Sequence, residues 1–349
     1  MTAHSPASTE LRPTSRPEPS LPLRPRVARA LLRAALRRVP VDAVLPDGSF
    51  LGSRRAPAGR PYAAQPGPGR PVLELVRPEA FYRRLVAEPK IGIGEGYTAG
   101  EWRAAPGTDL ADLLTPFAER VTTALPGWLL SARRLVDRPI PQGQLGAHDT
   151  TRENVSAHYD LSNELFAAFL DPTMTYSSAL FDRAEPLPDQ SLAVAQQRKV
   201  QTALDLAGVR PGTSLLEIGT GWGTLAIEGA RRGATVTTVT LSVEQADLAR
   251  ERIAAAGVSD RVEVLVQDYR DVTGTYDAVV SIEMIEAVGE QYWPTYFATL
   301  ARVLRPGGTV ALQSILMSHE RYLATRRSYG WIQKHIFPGG LIPSTTAIA

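Results

Sequence analysis

The chain contains no cysteine. Disulfide bridges, thiolate nucleophiles and cysteine-ligated zinc are therefore excluded. Its five histidines are scattered and share no metal-ligand spacing. Lysine is scarce too: Lys90, Lys199 and Lys334 are the only ones, so arginine carries almost all the positive charge. The first 26 residues hold no apolar run and are broken repeatedly by proline, unlike a secretory signal. No stretch is long and apolar enough to cross a bilayer, so the expected location is cytoplasmic. What is present suffices for a real core: 349 residues with 44% hydrophobic content suggest two domains and a tail. Net charge is only +2, but arginines clearly outnumber acids between Leu11 and Arg60. Such a region suits phosphate-rich nucleic acid or an anionic membrane surface. No interleaving of aromatic and basic residues accompanies it, which argues against nucleic acid.

Residues 1–26 are rich in proline, serine and arginine and are expected to form a disordered tail. Val27–Val39 reads as an amphipathic helix, with Leu31, Leu32, Ala35, Leu36 and Val39 on one face and Arg29, Arg33, Arg37 and Arg38 around it. Two readings stay open: a helix docked on its own domain, or an interfacial element drawn to anionic lipid. Val41–Leu45 and Ser49–Gly52 flank Pro46-Asp47-Gly48 as in a hairpin. An Arg54–Arg70 loop, a strand at Val72–Val76 and a helix at Pro78–Ala87 follow. Ile91–Trp102 is too glycine-rich for a helix and suggests close backbone packing. Helices are expected at Asp109–Ala118 and Pro126–Val136. Residues 27–139 thus form a small α+β domain, with Arg138–Asp149 as linker.

The later part is organised around Ser214–Ala226, S-L-L-E-I-G-T-G-W-G-T-L-A. A buried strand runs into a glycine turn and then a helix. Gly219, Gly221 and Gly223 let a ligand lie against the backbone. Glu217 is a lone carboxylate in an apolar strand, and such a group needs partners. The third glycine comes one residue early for the dinucleotide fingerprint, and the next strand ends in Thr240 rather than an acid. Strands and helices then alternate as in a doubly wound parallel sheet: strands at Thr235–Thr240, Val262–Val266, Ala278–Ile282 and Thr309–Ile315, and helices at Val243–Ala256 and Glu290–Leu304. Upstream, a helix presents Leu165, Phe166, Phe169 and Leu170 before Asp171-Pro172 stops it, and Ser191–Ala207 is a long helix.

Several motifs agree with one family. H-Y-D-L-S-N at His158–Asn163, T-Y-S-S at Thr175–Ser178, L-E-I-G-T-G-W-G at Leu216–Gly223 and T-L-S-V-E-Q at Thr240–Gln245 resemble the cyclopropane-fatty-acyl-phospholipid (mycolic acid cyclopropane) synthases. So do E-M-I-E-A-V-G at Glu283–Gly289 and W-I-Q-K-H-I-F-P-G-G-L-I-P-S at Trp331–Ser344. Asp268–Val272 and Glu290–Phe297 look like the actinobacterial branch that methylates oleoyl phospholipid toward tuberculostearic acid. The resemblance implies a class I methyltransferase domain over residues 140–349, an N-terminal lipid-handling domain, and S-adenosylmethionine as cofactor. It implies that Gly219, Gly221 and Gly223 meet the methionine part, while Tyr176 and Ser177 meet its carboxylate and amino end. Tyr159 lies over the methyl-sulfonium, Thr240 and Gln245 hold the ribose, Asp268 faces the adenine amino group and Tyr269 stacks on the ring. Tyr176 and Tyr269 also fit as half-buried core aromatics, and Gln245 as a helix surface residue.

The implied chemistry is methyl transfer to a cis double bond, which leaves a carbocation that needs a dry site and a base. In the family a bound bicarbonate is that base, held partly by a glutamate that falls on Glu286. Glu283 is expected one helical turn earlier on the same face. Three departures stand out. Ser178 replaces a common cysteine, keeping its backbone N–H for an anion. Gln313-Ser314-Ile315 replaces His-Thr-Ile, so Gln313 can hydrogen-bond bicarbonate but cannot titrate. The family's late tyrosine and last two strands are expected beyond residue 349. The implied partners are unsaturated phospholipid acyl chains, an anionic surface at the inner membrane face and, as one oligomeric option, a second copy in a homodimer. Proton loss gives a cyclopropane directly, or an exocyclic methylene after a hydride shift, and Gln313 favours the second. A soluble small-molecule substrate and a non-catalytic binding protein are the competing readings.

Overall fold

Five runs of apolar and β-branched residues form a parallel sheet in the C-terminal half, and its central strand, Ser214–Ile218, is buried on both faces. The computed structural model describes residues 23–51, 70–120, 140–141 and 162–349. The proline-rich tail up to residue 22, most of the Arg54–Arg70 loop, the Pro126–Val136 helix, most of the linker, and His158 and Tyr159 lie outside the described residues. The chain forms two units, Met1–Leu135 and Val136–Ala349.

In the first unit, α1 (Leu23–Leu36) precedes a three-stranded sheet of β1 (Asp42–Val44), β2 (Val72–Leu75) and β3 (Trp102–Ala104). β1 and β2 are parallel, β2 and β3 antiparallel. The expected hairpin is reduced to one bridge, Val44 to Phe50. Ala28 and Leu36 of α1 join Leu75, Phe81, Trp102 and Leu113 in the core, so the helix is docked on its own unit while Arg33, Arg37 and Arg38 stay exposed. α2 (Pro78–Ala87) and α4 (Leu110–Glu119) fall where the sequence predicts, α4 capped by Asp109.

The glycine-rich stretch departs from expectation: Gly92–Thr98 is a helix, α3. Its glycines are there for proximity. A Cβ on Gly92 would lie 2.9 Å from the Arg84 carbonyl oxygen, and one on Gly96 would lie 2.8 Å from the Phe81 ring. Packing at that distance offsets the helix cost of about 1 kcal/mol per glycine. Arg84 then ties α2 to the end of α3, pairing with the buried Glu101 at 2.8 Å and with Glu95 at 3.1 Å.

The second unit begins with α5 (Asn163–Phe169) and α6 (Leu192–Leu206). The sheet follows: β4 (Ser214–Ile218), β5 (Thr235–Thr240), β6 (Val262–Val266), β7 (Tyr276–Ile282) and β8 (Leu304–Gln313), in the order β6-β5-β4-β7-β8. Alternation along the strands splits the core. Leu216, Ile218 and Val279 face α10 (Trp293–Val303), whose Trp293, Tyr296 and Leu300 cover them. Leu215, Val236 and Val280 face α6 and α7 (Thr224–Arg231). α8 (Val243–Ala255) packs beside β6. The chain leaves β4 outward through β5 and β6, then returns to place β7 on the other side. That reversal opens a crevice at the carboxyl ends of β4 and β7. β8 is longer at its start than expected and bulges at Pro306–Gly308, where its pairing with β7 slips. It stops at Gln313, not Ile315, because the Ile315 N–H goes to the Glu286 carboxylate.

Gly96→Ala tests the close packing. Forcing a methyl against Phe81 should lower local stability by about 1–3 kcal/mol, read as faster amide hydrogen exchange in α2 and α3. Unchanged protection would contradict it.

Candidate active site

The turn after β4 sits at the crevice. The N–H groups of Gly219 and Thr220 both donate to the Val239 carbonyl, at 3.0 and 3.2 Å. The three glycines do different work. Gly219 (φ +98) leaves no room for a Cβ, which would come 3.0 Å from Met284. Gly223 packs on Ala249, and Gly221 (φ +51) borders open space. Of the three, Gly221 is where a ligand can approach the backbone.

Glu217 lies on the α6 side of the sheet and is only 3% exposed. The Thr238 hydroxyl is 2.6 Å from its Oε2. Burial pushes this carboxyl up to about 8, against a smaller pull from Lys199. Lys199, 5% exposed on α6, donates to the Ser177 hydroxyl at 2.6 Å. Burial pushes its ammonium down to about 8, while Glu283, Glu217 and Asp171 resist. Sequence reading missed Lys199 as a site residue. The available signal was a rare lysine inside an otherwise small and apolar helix face. It also missed Gln196, one turn earlier, whose amide donates to the Ser177 carbonyl at 2.8 Å.

Thr240 and Gln245 are brought together and buried, at 8% and 4% exposure. The Thr240 hydroxyl donates to Gln245 Oε1 at 3.1 Å, and the Ser242 N–H donates to Thr240 Oγ1 at 3.2 Å. Oε1 is thereby occupied, and among the described residues Nε2 has no acceptor. Gln245 is therefore not a helix surface residue.

Asp268 and Tyr269 are adjacent to the same edge but are otherwise engaged. Arg270 grips the Asp268 carboxylate with two side-chain bonds, 2.8 and 2.6 Å, and with its backbone N–H at 2.9 Å. Tyr269 is 7% exposed and packs edge-on against Tyr296, centroids 5.5 Å apart. Burial pushes its phenol up to about 12. The ring belongs to the core cluster under the sheet. Tyr176 likewise sits among aromatics, edge-on to Phe166 at 5.3 Å and stacked on Phe337 at 6.4 Å. Tyr159 lies outside the described residues.

The expected trio of Glu286, Ser178 and Gln313 is divided. Glu283 is not a helical turn before Glu286 on one face. It precedes the short helix α9 (Ile285–Val288) in the left-handed region, φ +49. Its Oε1 accepts the Ser178 N–H at 2.8 Å and the Gln313 amide at 2.9 Å. The same Gln313 nitrogen donates to the Ser178 carbonyl at 3.1 Å. Glu286 turns elsewhere: one oxygen accepts the Ser314 hydroxyl at 2.8 Å and the Ile315 N–H at 2.5 Å. Its Oε2 is buried without a partner. Burial, chiefly, and the nearby Glu283 charge raise the Glu286 carboxyl.

Comparisons with known proteins identify the family of the chain. The sequence profile described as mycolic acid cyclopropane synthetase matches residues 147–349. The chain is 49% identical over 325 residues to the tuberculostearic acid methyltransferase UfaA1 of Mycobacterium tuberculosis, covering 92% of this chain and 73% of that protein. It is 35% identical over 277 residues to the cyclopropane-fatty-acyl-phospholipid synthase of Escherichia coli, covering 77% and 66%. Among solved structures, the cyclopropane synthase MmaA2 of Mycobacterium tuberculosis superposes with a TM-score of 0.50 at 32% identity, over 56% of this chain and 71% of that one. The cyclopropane synthase CmaA1, solved with S-adenosylhomocysteine (SAH), matches with the same TM-score at 33% identity. The crossover at β4 and β7 and the turn that ends β4 are thus those of a methyltransferase, and the chain belongs to the mycolic acid cyclopropane synthetase family.

Proposed function

We propose that the protein methylates the cis double bond of an unsaturated acyl chain carried by a membrane phospholipid, with a methylene-branched chain as product. The observation that carries this reading is the packing of Met284 on Gly219, which puts the segment bearing two neighbouring carboxyl groups, Glu283 and Glu286, against the glycine turn. Such a neighbourhood suits a reaction that develops positive charge and ends in proton loss. The names of the relatives, a tuberculostearic acid methyltransferase and a fatty-acyl-phospholipid synthase, support the substrate class. The exposed Leu165 and Phe169 beside Tyr176 supply apolar surface near the same loop. The exposed arginines of α1 and the residues after it supply charge for anionic lipid at the inner membrane face. No helix among the described residues is long and apolar enough to cross a membrane.

S-adenosylmethionine fits the residues present and, when bound, supplies an electrophilic methyl group. The open backbone at Gly221 receives its methionine part. Gln245 Nε2, oriented by Thr240, donates to a ribose hydroxyl. Lys199 and Gln196 hold Ser177 in place for the amino acid end. Asp268, with Arg270, borders the adenine end. Bicarbonate fits less well. The Ser178 N–H and the Gln313 amide, expected to hold it, are both given to Glu283.

Incubation with methyl-labelled S-adenosylmethionine and oleoyl phospholipid vesicles should yield a labelled acyl chain with an exocyclic methylene. A purely cyclopropane product would refute the product assignment, and no label in lipid would refute the substrate class. Gln245→Leu should weaken S-adenosylmethionine binding by about tenfold or more, consistent with one lost buried hydrogen bond, with the melting profile preserved; unchanged affinity in calorimetry would remove Gln245 from the ribose site. Glu217 gives a third outcome. Its folded carboxyl titrates near 8 and its unfolded one near 4.5, so between these the native state holds a proton the unfolded state has lost. Stability should fall as pH rises through that window, by at most about 1.4 kcal/mol per pH unit. Glu217→Gln should flatten the fall, as read by urea unfolding from pH 5 to 8.

A further inference from the structure

Glu283 carries the features of a reacting group more clearly than the residues first assigned to that task. It follows directly on β7, at the crevice. A non-glycine residue at φ +49 is strained and persists only where its surroundings hold it. Here the Glu283 N–H is held by the Gln313 carbonyl at 2.8 Å. The next residue, Met284, presses on the Gly219 turn. The backbone thus keeps the carboxylate beside the cofactor turn.

The side chain is held as tightly. Oε1 lies between the Ser178 N–H and the Gln313 amide, both neutral donors that cannot take a proton themselves. Among the described residues Oε2 makes no hydrogen bond, and the residue is only partly buried. Glu286 differs. Its free oxygen is buried, and burial together with the Glu283 charge favours its protonated form. Two neighbouring carboxyl groups are thereby set apart: burial pushes Glu286 toward its protonated form, while Glu283 is held by neutral donors with one oxygen left clear.

We propose that the Glu283 carboxylate is the base of the reaction, occupying with its own oxygen the donors that would otherwise hold a free anion. This rests on the proposed methyl transfer. In that step the π pair of the double bond forms the new bond to the methyl carbon, as the carbon–sulfur bond to that methyl breaks and its electrons stay on sulfur. A cation remains on the neighbouring carbon. Glu283 Oε2 then takes a proton, and the electrons of the broken C–H bond close the cyclopropane or, after a hydride shift, form the methylene. The carboxylic acid returns its proton to water, so no external base is consumed.

The test runs the protein on oleoyl phospholipid vesicles in carbon-dioxide-depleted buffer, with and without added bicarbonate. The expected result is unchanged turnover in both. Turnover that collapses on depletion and returns with bicarbonate would overturn the assignment. Glu283→Gln keeps the shape and an acceptor for the Ser178 N–H. It should lower kcat about a hundredfold or more, while S-adenosylmethionine affinity by calorimetry stays within about threefold, the size expected of a residue that does not bind the cofactor. A variant that turns over at nearly the wild-type rate would equally overturn it. A wild-type protein that binds S-adenosylmethionine but never labels lipid would overturn the functional reading itself, an outcome distinct from both.

Discussion

The active-site edge depends on one short loop being held still. Thr175–Ser178 has no secondary structure of its own, yet four groups from three directions fix it. Gln196 and Lys199 reach from α6 to the carbonyl and hydroxyl of Ser177. Glu283, after β7, takes the Ser178 N–H, and Gln313, at the end of β8, takes the Ser178 carbonyl. Each anchor sits on a rigid element, and each is a polar group that would be costly to bury alone. The loop therefore satisfies the site, and the site positions the loop.

That constraint explains why buried charge is tolerated here. Lys199 and Glu217 share the α6 face of the sheet, and burial moves both toward neutrality. Neither is placed for surface stability. A lysine inside a helix packed on Val200, Ala203 and Leu204 has a reason to be there only if its ammonium has something to hold. Ser177 is what it holds.

Much of the fold was legible in the sequence. Apolar runs separated by helical patterns gave the parallel sheet, and in the structure Asp109, Ser162 and Ser242 cap the starts of three of those helices. The glycine-rich segment at 92–98 was not legible, because composition cannot distinguish a glycine that loosens a chain from one that admits a neighbouring ring. The same limit applied to the site. Thr240 and Gln245 were singled out through the family resemblance of the T-L-S-V-E-Q motif, and the structure brings the two side chains together. Ser178 lies more than a hundred residues before Glu283 and Gln313, and the three meet only through sheet order. Which glutamate faces which donor depended on a single backbone angle at Glu283, and no periodicity reveals that.

The most direct measurement is a crystal structure of the protein with S-adenosylhomocysteine bound and bicarbonate present in the crystallisation medium. The account predicts the ribose against Gln245 Nε2, the homocysteine part over Gly221, and the Glu283 carboxylate still between the Ser178 N–H and the Gln313 amide. A Glu283 side chain turned away, with a free anion bound to those two donors, would contradict it.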